Sequence, residues 1–295
     1  MHNHSHNASD RIGWAFFLNV SFTIIEFIGG WLTNSTAIMA DAVHDLGDSL
    51  SIGLAWILNR LSDRKADGVF TYGYHRFSLL GALINGIVLV AGSIWVLSEA
   101  VPRLANPTMP HAAGMLFLAI LGVAVNGYAA YKLSHGKTLN ERVLNWHLLE
   151  DVLGWVAVLI VAIVLLFVDW PIIDPLLSIA FTLFILINVV RNVVATVSLL
   201  MQAAPDKYLH DQVVEDLLSM EPVSNVHHVH LWSLDGEHHV LTAHLELGCS
   251  LGAREYVELK SSIEQRLSDY NFIHTTVEFE FPEEPCRDET ITSIG

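Results

Sequence analysis

The 295 residues combine 52% hydrophobic content and a mean hydropathy of +0.44 with a formal net charge of −16. That is too apolar for an ordinary soluble domain yet not uniformly so, which points to a membrane part carrying an aqueous appendage. After Pro205 there are 5 Lys/Arg against 18 Asp/Glu, an acidic tail that excludes nucleic acid and an anionic bilayer surface as partners. The two cysteines, Cys249 and Cys286, lie far apart in that tail, which argues against a disulfide framework and fits a reducing compartment.

Residues 1–11 form a polar arm with His2, His4 and His6, alternating imidazoles of the kind that collect a transition metal weakly. No cleavable signal peptide is expected, because the first apolar run contains Asn19 and Glu26. That run, Ile12 to Leu32, is followed by a second from Thr36 to Leu58, a third from Phe77 to Val101, a fourth from His111 to Leu133, a fifth from Val143 to Val168 and a sixth from Ile172 to Met201. Each is long enough as a helix to cross the roughly 30 Å hydrocarbon layer. Six crossings place both termini on one side of the membrane. Arg11, Arg60, Arg64, Lys65, Arg76, Lys132, Lys137, Arg142 and Lys207 fall on that side and only Arg103 on the other, so N- and C-termini are expected to be cytoplasmic.

The second segment is the costly one. Asp41, His44, Asp45 and Asp48 lie inside it, and groups of this kind must face a bundle interior or a water-filled cavity rather than lipid. The fifth segment carries His147, Glu150 and Asp151. In both, a histidine precedes an aspartate by four residues, so each pair shares one helix face. His44, Asp48, His147 and Asp151 together supply two imidazoles and two carboxylates, the number of ligands a tetrahedral Zn2+ needs, whereas Mn2+ favours more oxygen. The competing reading is that each histidine satisfies only its own aspartate; that the same pair occurs twice favours a metal site. Asp41 lies on the face of His44 and Asp48 and is expected to line the route or support a ligand. Asp45 points about 100° away, where a structural hydrogen bond is as good a reading. Asn85 and Asn126 are expected to be interhelical hydrogen-bond partners, and Asp174, beside Pro175, to cap a helix start. Glu26 is left as a candidate for proton coupling or the ion pathway.

Beyond Pro205 the period changes. Asp206 to Met220 reads as an amphipathic helix, Val226 to Leu234 and His239 to Leu247 as strands around the turn at Asp235-Gly236-Glu237, Gly252 to Leu267 as a helix and Ile273 to Phe281 as a strand. The α-β-β-α-β order predicts a small open-faced sandwich; Pro282 to Gly295 are expected to be disordered. His227, His228, His230, His238, His239, His244 and His274 make this domain histidine-dense. Strict alternation puts His228 and His230 on one face and His227 on the other, so the run is not one site. Glu278 and Glu280 on a neighbouring strand point to a His/carboxylate site.

These motifs resemble the cation diffusion facilitator family, most closely its bacterial zinc/cadmium/cobalt exporters and the vesicular zinc transporters. The resemblance covers the six segments, Ala40 to Asp48, Tyr72-Gly73-Tyr74-His75-Arg76, His147 to Asp151, Asp174-Pro175 and His227-His228-Val229-His230-Leu231-Trp232. It implies an all-α six-helix transmembrane bundle over 12–204 and a cytoplasmic α+β ferredoxin-like domain over 205–281, assembled as a homodimer in a bacterial inner membrane. It further implies export of a divalent cation, Zn2+ first and Cd2+, Co2+ or Fe2+ as alternatives, in exchange for protons. Carried over by position, His44, Asp48, His147 and Asp151 are the transport site and His227, His244 and Glu280 the cytoplasmic metal ligands, with His274 and Glu278 as further candidates. Phe70 and Tyr74 stand where some members carry ligands of a loop site before the third helix, so that site is expected to be absent. The histidine-rich loop of the vesicular relatives is reduced to His135. An intramembrane metalloenzyme is the rival from another class, but there is no His-Glu-x-x-His and four protein ligands leave no open position for an activated water. A metal sensor that does not transport would need no continuous polar path of the kind that Asp41, Glu26 and the paired motifs imply.

Overall fold

The computed structural model describes residues 4–62, 64–133 and 139–288; the side chains of residues 4–16, 18, 55–56, 59–60, 132–133 and 139–148 also lie outside the described residues. His2 and His135 therefore fall outside it, and His4, His6 and His147 enter through their backbone alone. The chain divides into two compact units, residues 1–59 with 81–193, and residues 60–80 with 194–295.

Six long helices come first: α1 (His4–Thr33), α2 (Thr36–Ser62), α3 (Phe77–Ala105), α4 (Ala112–Leu133), α5 (Leu139–Phe167) and α6 (Ile173–Leu200). Helix α1 begins well before Ile12, so much of the polar arm is helical in its backbone. Four of them, α3 to α6, are long and apolar enough to cross a membrane. Helix α2 falls short because Asp41, Asp45 and Asp48 interrupt its apolar run.

Within the helical unit, Ala37 and Ile38 of α2, Met115 and Ala119 of α4, and Trp155, Val158, Ala162 and Leu165 of α5 form one buried core. A Cβ at Gly122 of α4 would run into the Trp155 ring, so the close approach of α4 and α5 depends on glycine there. Asp174 of α6 does cap a helix start, but of α2 rather than of its own helix. Its carboxylate accepts from Ser35 Oγ at 2.5 Å, Thr36 N at 2.8 Å and Thr36 Oγ1 at 2.9 Å. An anionic acceptor there answers both the orphan N–H groups and the positive end of the helix dipole. The helix with the costly charges is thereby anchored at its first turn by a residue far away in sequence.

The second unit contains α7 (Lys207–Leu218), β1 (Val223–Ser233), β2 (His239–Leu247), α8 (Ala253–Arg266) and β3 (Phe272–Glu280), the expected α-β-β-α-β order. Strand β2 is central, antiparallel to β1 and parallel to β3; the parallel pair requires a crossover, which α8 supplies. Leu241, Ala243, Leu245 and Leu247 of β2 pack with Val213 and Leu217 of α7 and with Leu259 and Ile263 of α8. That leaves the opposite face of the sheet to His244 and its neighbours. Strand β1 bulges between His227 and His230, and His228 takes φ +47°. The alternation expected for the histidine run is therefore broken.

Candidate metal centres

The first cluster lies inside the helical unit. His44 Nε2 is 3.7 Å from Asp48 Oδ2, one helical turn along α2, and 3.8 Å from Asp151 Oδ1 of α5. One ligand atom from each of the three residues falls within 4.8 Å of the others. They line a cavity of about 540 Å³ whose wall also includes Asp41, Asn85 and Asn188. His147 lies outside the described side chains, so its place in this set rests on its spacing from Asp151 alone.

Asp41 faces the same cavity with one oxygen, Oδ2, that has no hydrogen-bond partner among the described residues. Asn85 Nδ2 donates to Ser51 Oγ at 2.7 Å and so joins α3 to α2 as expected, whereas Asn126 Nδ2 finds no partner among the described residues. Asp45 turns away from the cavity toward Glu26 of α1. Both are buried, and neither carboxylate oxygen of Glu26 has a hydrogen-bond partner among the described residues.

The second cluster sits on the open face of the sheet. The register places His227 opposite His244 and His244 opposite Glu278. His244 Nδ1 is 2.8 Å from Glu280 Oε1, and His227 Nε2 is 3.0 Å from Glu280 Oε2, so one buried carboxylate bridges two imidazoles. Cys286 Sγ reaches 3.5 Å from His244 Nδ1, and ligand atoms of His227, His244, Glu280 and Cys286 lie within 4.8 Å of one another. Two imidazoles, a carboxylate and a thiol are donors that fit Zn2+. Burial works against the Glu280 carboxylate, yet its hydrogen bonds with Cys286 and His244 hold it below the usual range. Burial raises the Cys286 thiol, so metal binding there releases a proton.

Cys286 was missed because it follows the last strand, in the stretch expected to be disordered. Pro282 to Asp288 are described, and Phe281 N donates to Glu284 Oε2 at 2.9 Å; residues 289–295 lie outside the description. Glu278 is at the edge of this cluster, 3.7 Å from His244 Nε2 and 2.7 Å from Arg287 Nη2. His274 is not brought to it. It lies six positions before Glu280, roughly 20 Å along a strand at about 3.3 Å per residue, and its ring packs on Tyr72. His228 joins instead: the bulge sets its ring 5.2 Å from that of His227 and 5.1 Å from that of His244.

A helical unit with apolar spans and a cavity lined by imidazole and carboxylates, followed by a histidine-bearing α+β domain, defines an integral membrane protein that handles cations. The comparisons make this specific. Residues 14–201 match the cation efflux transmembrane domain and residues 205–281 the cytoplasmic domain of cation efflux proteins. The chain belongs to the cation efflux family; it is a transporter, not an enzyme. It is 32% identical over 284 residues to a cadmium, cobalt and zinc/H(+)-K(+) antiporter of Bacillus subtilis, covering 95% of this chain and 91% of that protein. It is 32% identical over 298 residues to the zinc transporter ZitB of Escherichia coli, covering 97% and 93% of the two chains. The metal cation efflux system protein CzcD of Cupriavidus metallidurans is 29% identical over 290 residues, covering 97% and 90%.

Proposed function

We propose that this protein exports divalent metal ions, Zn2+ foremost, from the cytoplasm across a bacterial inner membrane in exchange for protons, by alternating access. The observation that supports this most is the meeting of His44, Asp48 and Asp151 in one cavity, in a family whose relatives are named for zinc, cadmium and cobalt. His147, four residues before Asp151, is assigned as the fourth ligand, and Asp41 as a pathway or supporting carboxylate. All six long helices cross the bilayer, residues 12–204 form the transmembrane domain, and both termini are cytoplasmic. Residues 205–281 form a ferredoxin-like metal-binding and dimerisation domain of a homodimer. His227, His244, Glu280 and Cys286 hold Zn2+ there, with Glu278 at the margin.

A ligating imidazole must be neutral, so metal entering from the cytoplasm displaces protons and protons arriving from the far side displace metal. Glu26, buried in α1 with both carboxylate oxygens unbonded among the described residues, is kept as a candidate for proton coupling. The membrane potential contributes about 2.3 kcal/mol per charge per 100 mV, so the number of protons exchanged sets the gradient that can be opposed. Cd2+, Co2+ and Fe2+ suit the same donors less selectively. Proton-driven 65Zn uptake into inside-out vesicles tests the reading: His44→Ala and Asp151→Ala abolish it, and uptake at the parental rate in either variant overturns the assignment.

A further inference from the structure

Outside both clusters, the second unit brings together two imidazoles and a carboxylate that neither of them uses. His75, in the connection from α2 to α3, places Nδ1 3.5 Å from Asp235 Oδ2 in the β1–β2 turn. His238 Nδ1 is 2.6 Å from the same oxygen, and the two rings are 4.8 Å apart. One ligand atom from each of the three lies within 4.8 Å of the others.

Each side is held by a frame of its own. In the turn, Asp235 Oδ1 accepts from Glu237 N at 2.9 Å and His238 N at 2.8 Å, which fixes the carboxylate and leaves Oδ2 to the imidazoles. Gly236, at φ +101°, donates its N–H to Ser233 Oγ, which donates to His238 O. In the connection, Asp67 accepts from Val69 N, Phe70 N and Tyr74 Oη at 2.8, 2.7 and 2.6 Å. Gly73 turns at φ +79°, with its Cβ position 3.3 Å from Arg64 O. Phe70 and Tyr74 pack ring to ring at 4.6 Å and serve as part of this scaffold. Tyr72 packs edge to face on Trp232, adding a second contact between connection and sheet.

One imidazole satisfies the free carboxylate oxygen. The second is held beyond hydrogen-bond distance, on a backbone shaped to present it. Two nitrogens and one oxygen at this spacing make three-quarters of a tetrahedral shell, and His75 and His238 are each about one-third exposed, so an ion and its water reach them from solvent. We propose that His75, Asp235 and His238 form a further binding site for a divalent transition-metal ion of the Zn2+ class, with water completing the shell. Binding clamps the connection that enters α3, two residues beyond His75, onto the β1–β2 turn. The site does not depend on the transport reading, and its test reads binding rather than transport.

The test is Zn2+ binding to the purified full-length protein in detergent micelles, by equilibrium dialysis with metal analysis. His75→Gln and His238→Gln each lower the Zn2+ bound by one ion per chain, and the double variant loses no more than either single one. Full stoichiometry in either single variant overturns the proposal, as do losses that add in the double variant. To cover a fold weakened by the glutamines, His75→Cys/His238→Cys is titrated with Cd2+. The thiolate-to-cadmium absorption, corrected for the parental cysteines, exceeds the sum of the two single-cysteine variants; an intensity equal to that sum means separate thiols and also overturns the site.

Discussion

The helical cavity and the sheet of the tail gather similar donors in different states of closure. In the cavity His44 stands 3.7 and 3.8 Å from its two aspartates, whereas in the tail Glu280 is within 2.8 and 3.0 Å of its two histidines. The two clusters therefore differ in how closely their donors approach one another. A metal entering the tail cluster would replace the hydrogen bond between His244 and Glu280 and displace its proton. The proposed roles, passage at the cavity and holding at the tail, are what variants at the two clusters test.

The sharpest way to break this contrast is at the cavity. His44→Ala or Asp151→Ala is expected to lower proton-driven zinc uptake by roughly 100-fold or more, since losing even an outer partner of a metal ligand costs about 10–100-fold. Zn2+ held by the tail, measured by dialysis on the same variants, should be unchanged. Conversely, His244→Ala or Cys286→Ala is expected to weaken the tail's Zn2+ affinity by at least the roughly 10–100-fold that loss of an outer partner costs. Zinc uptake at saturating metal should survive in these variants, and its loss would mean that the two clusters are not separable.

Supporting residues sharpen the comparison with smaller effects. Asp174→Ala removes the shared acceptor of Ser35 and Thr36 at the head of α2 and strands buried donors at about 1–3 kcal/mol. A lower thermal midpoint in detergent and a partial loss of uptake are expected, with tail affinity intact. Tyr270, whose hydroxyl donates to Asp216 of α7, is the corresponding brace of the tail, and its loss in Tyr270→Phe should cost about 1 kcal/mol. That hydrogen bond pushes the phenol up to about 12. Its stabilisation is therefore present below the ordinary phenol value of about 10 and is lost as pH rises through about 12. Ultraviolet titration should show one late-titrating tyrosine that the phenylalanine variant lacks.

Much of this protein was legible in its residues. Charges that lipid cannot accept marked Asp41, His44, Asp48 and Asp151, and a repeated four-residue spacing, readable because a helix repeats every 3.6 residues, paired His44 with Asp48 and His147 with Asp151. The alternating apolar positions of β2 likewise announced the sheet. What the sequence could not convey were relations between distant segments whose geometry is set by packing. Asp174 was expected at a helix start, but that the start is α2's follows from how α6 meets it. The bulge at His228 breaks the period from which its face was inferred. Cys286 had no periodic signal at all and becomes a donor because the chain beyond β3 folds back over the open sheet face. His75 and His238, 163 positions apart in the numbering, meet through two turns that only tertiary structure brings together. Local repeat is written along the chain; the meeting of loops is decided by the core that holds them.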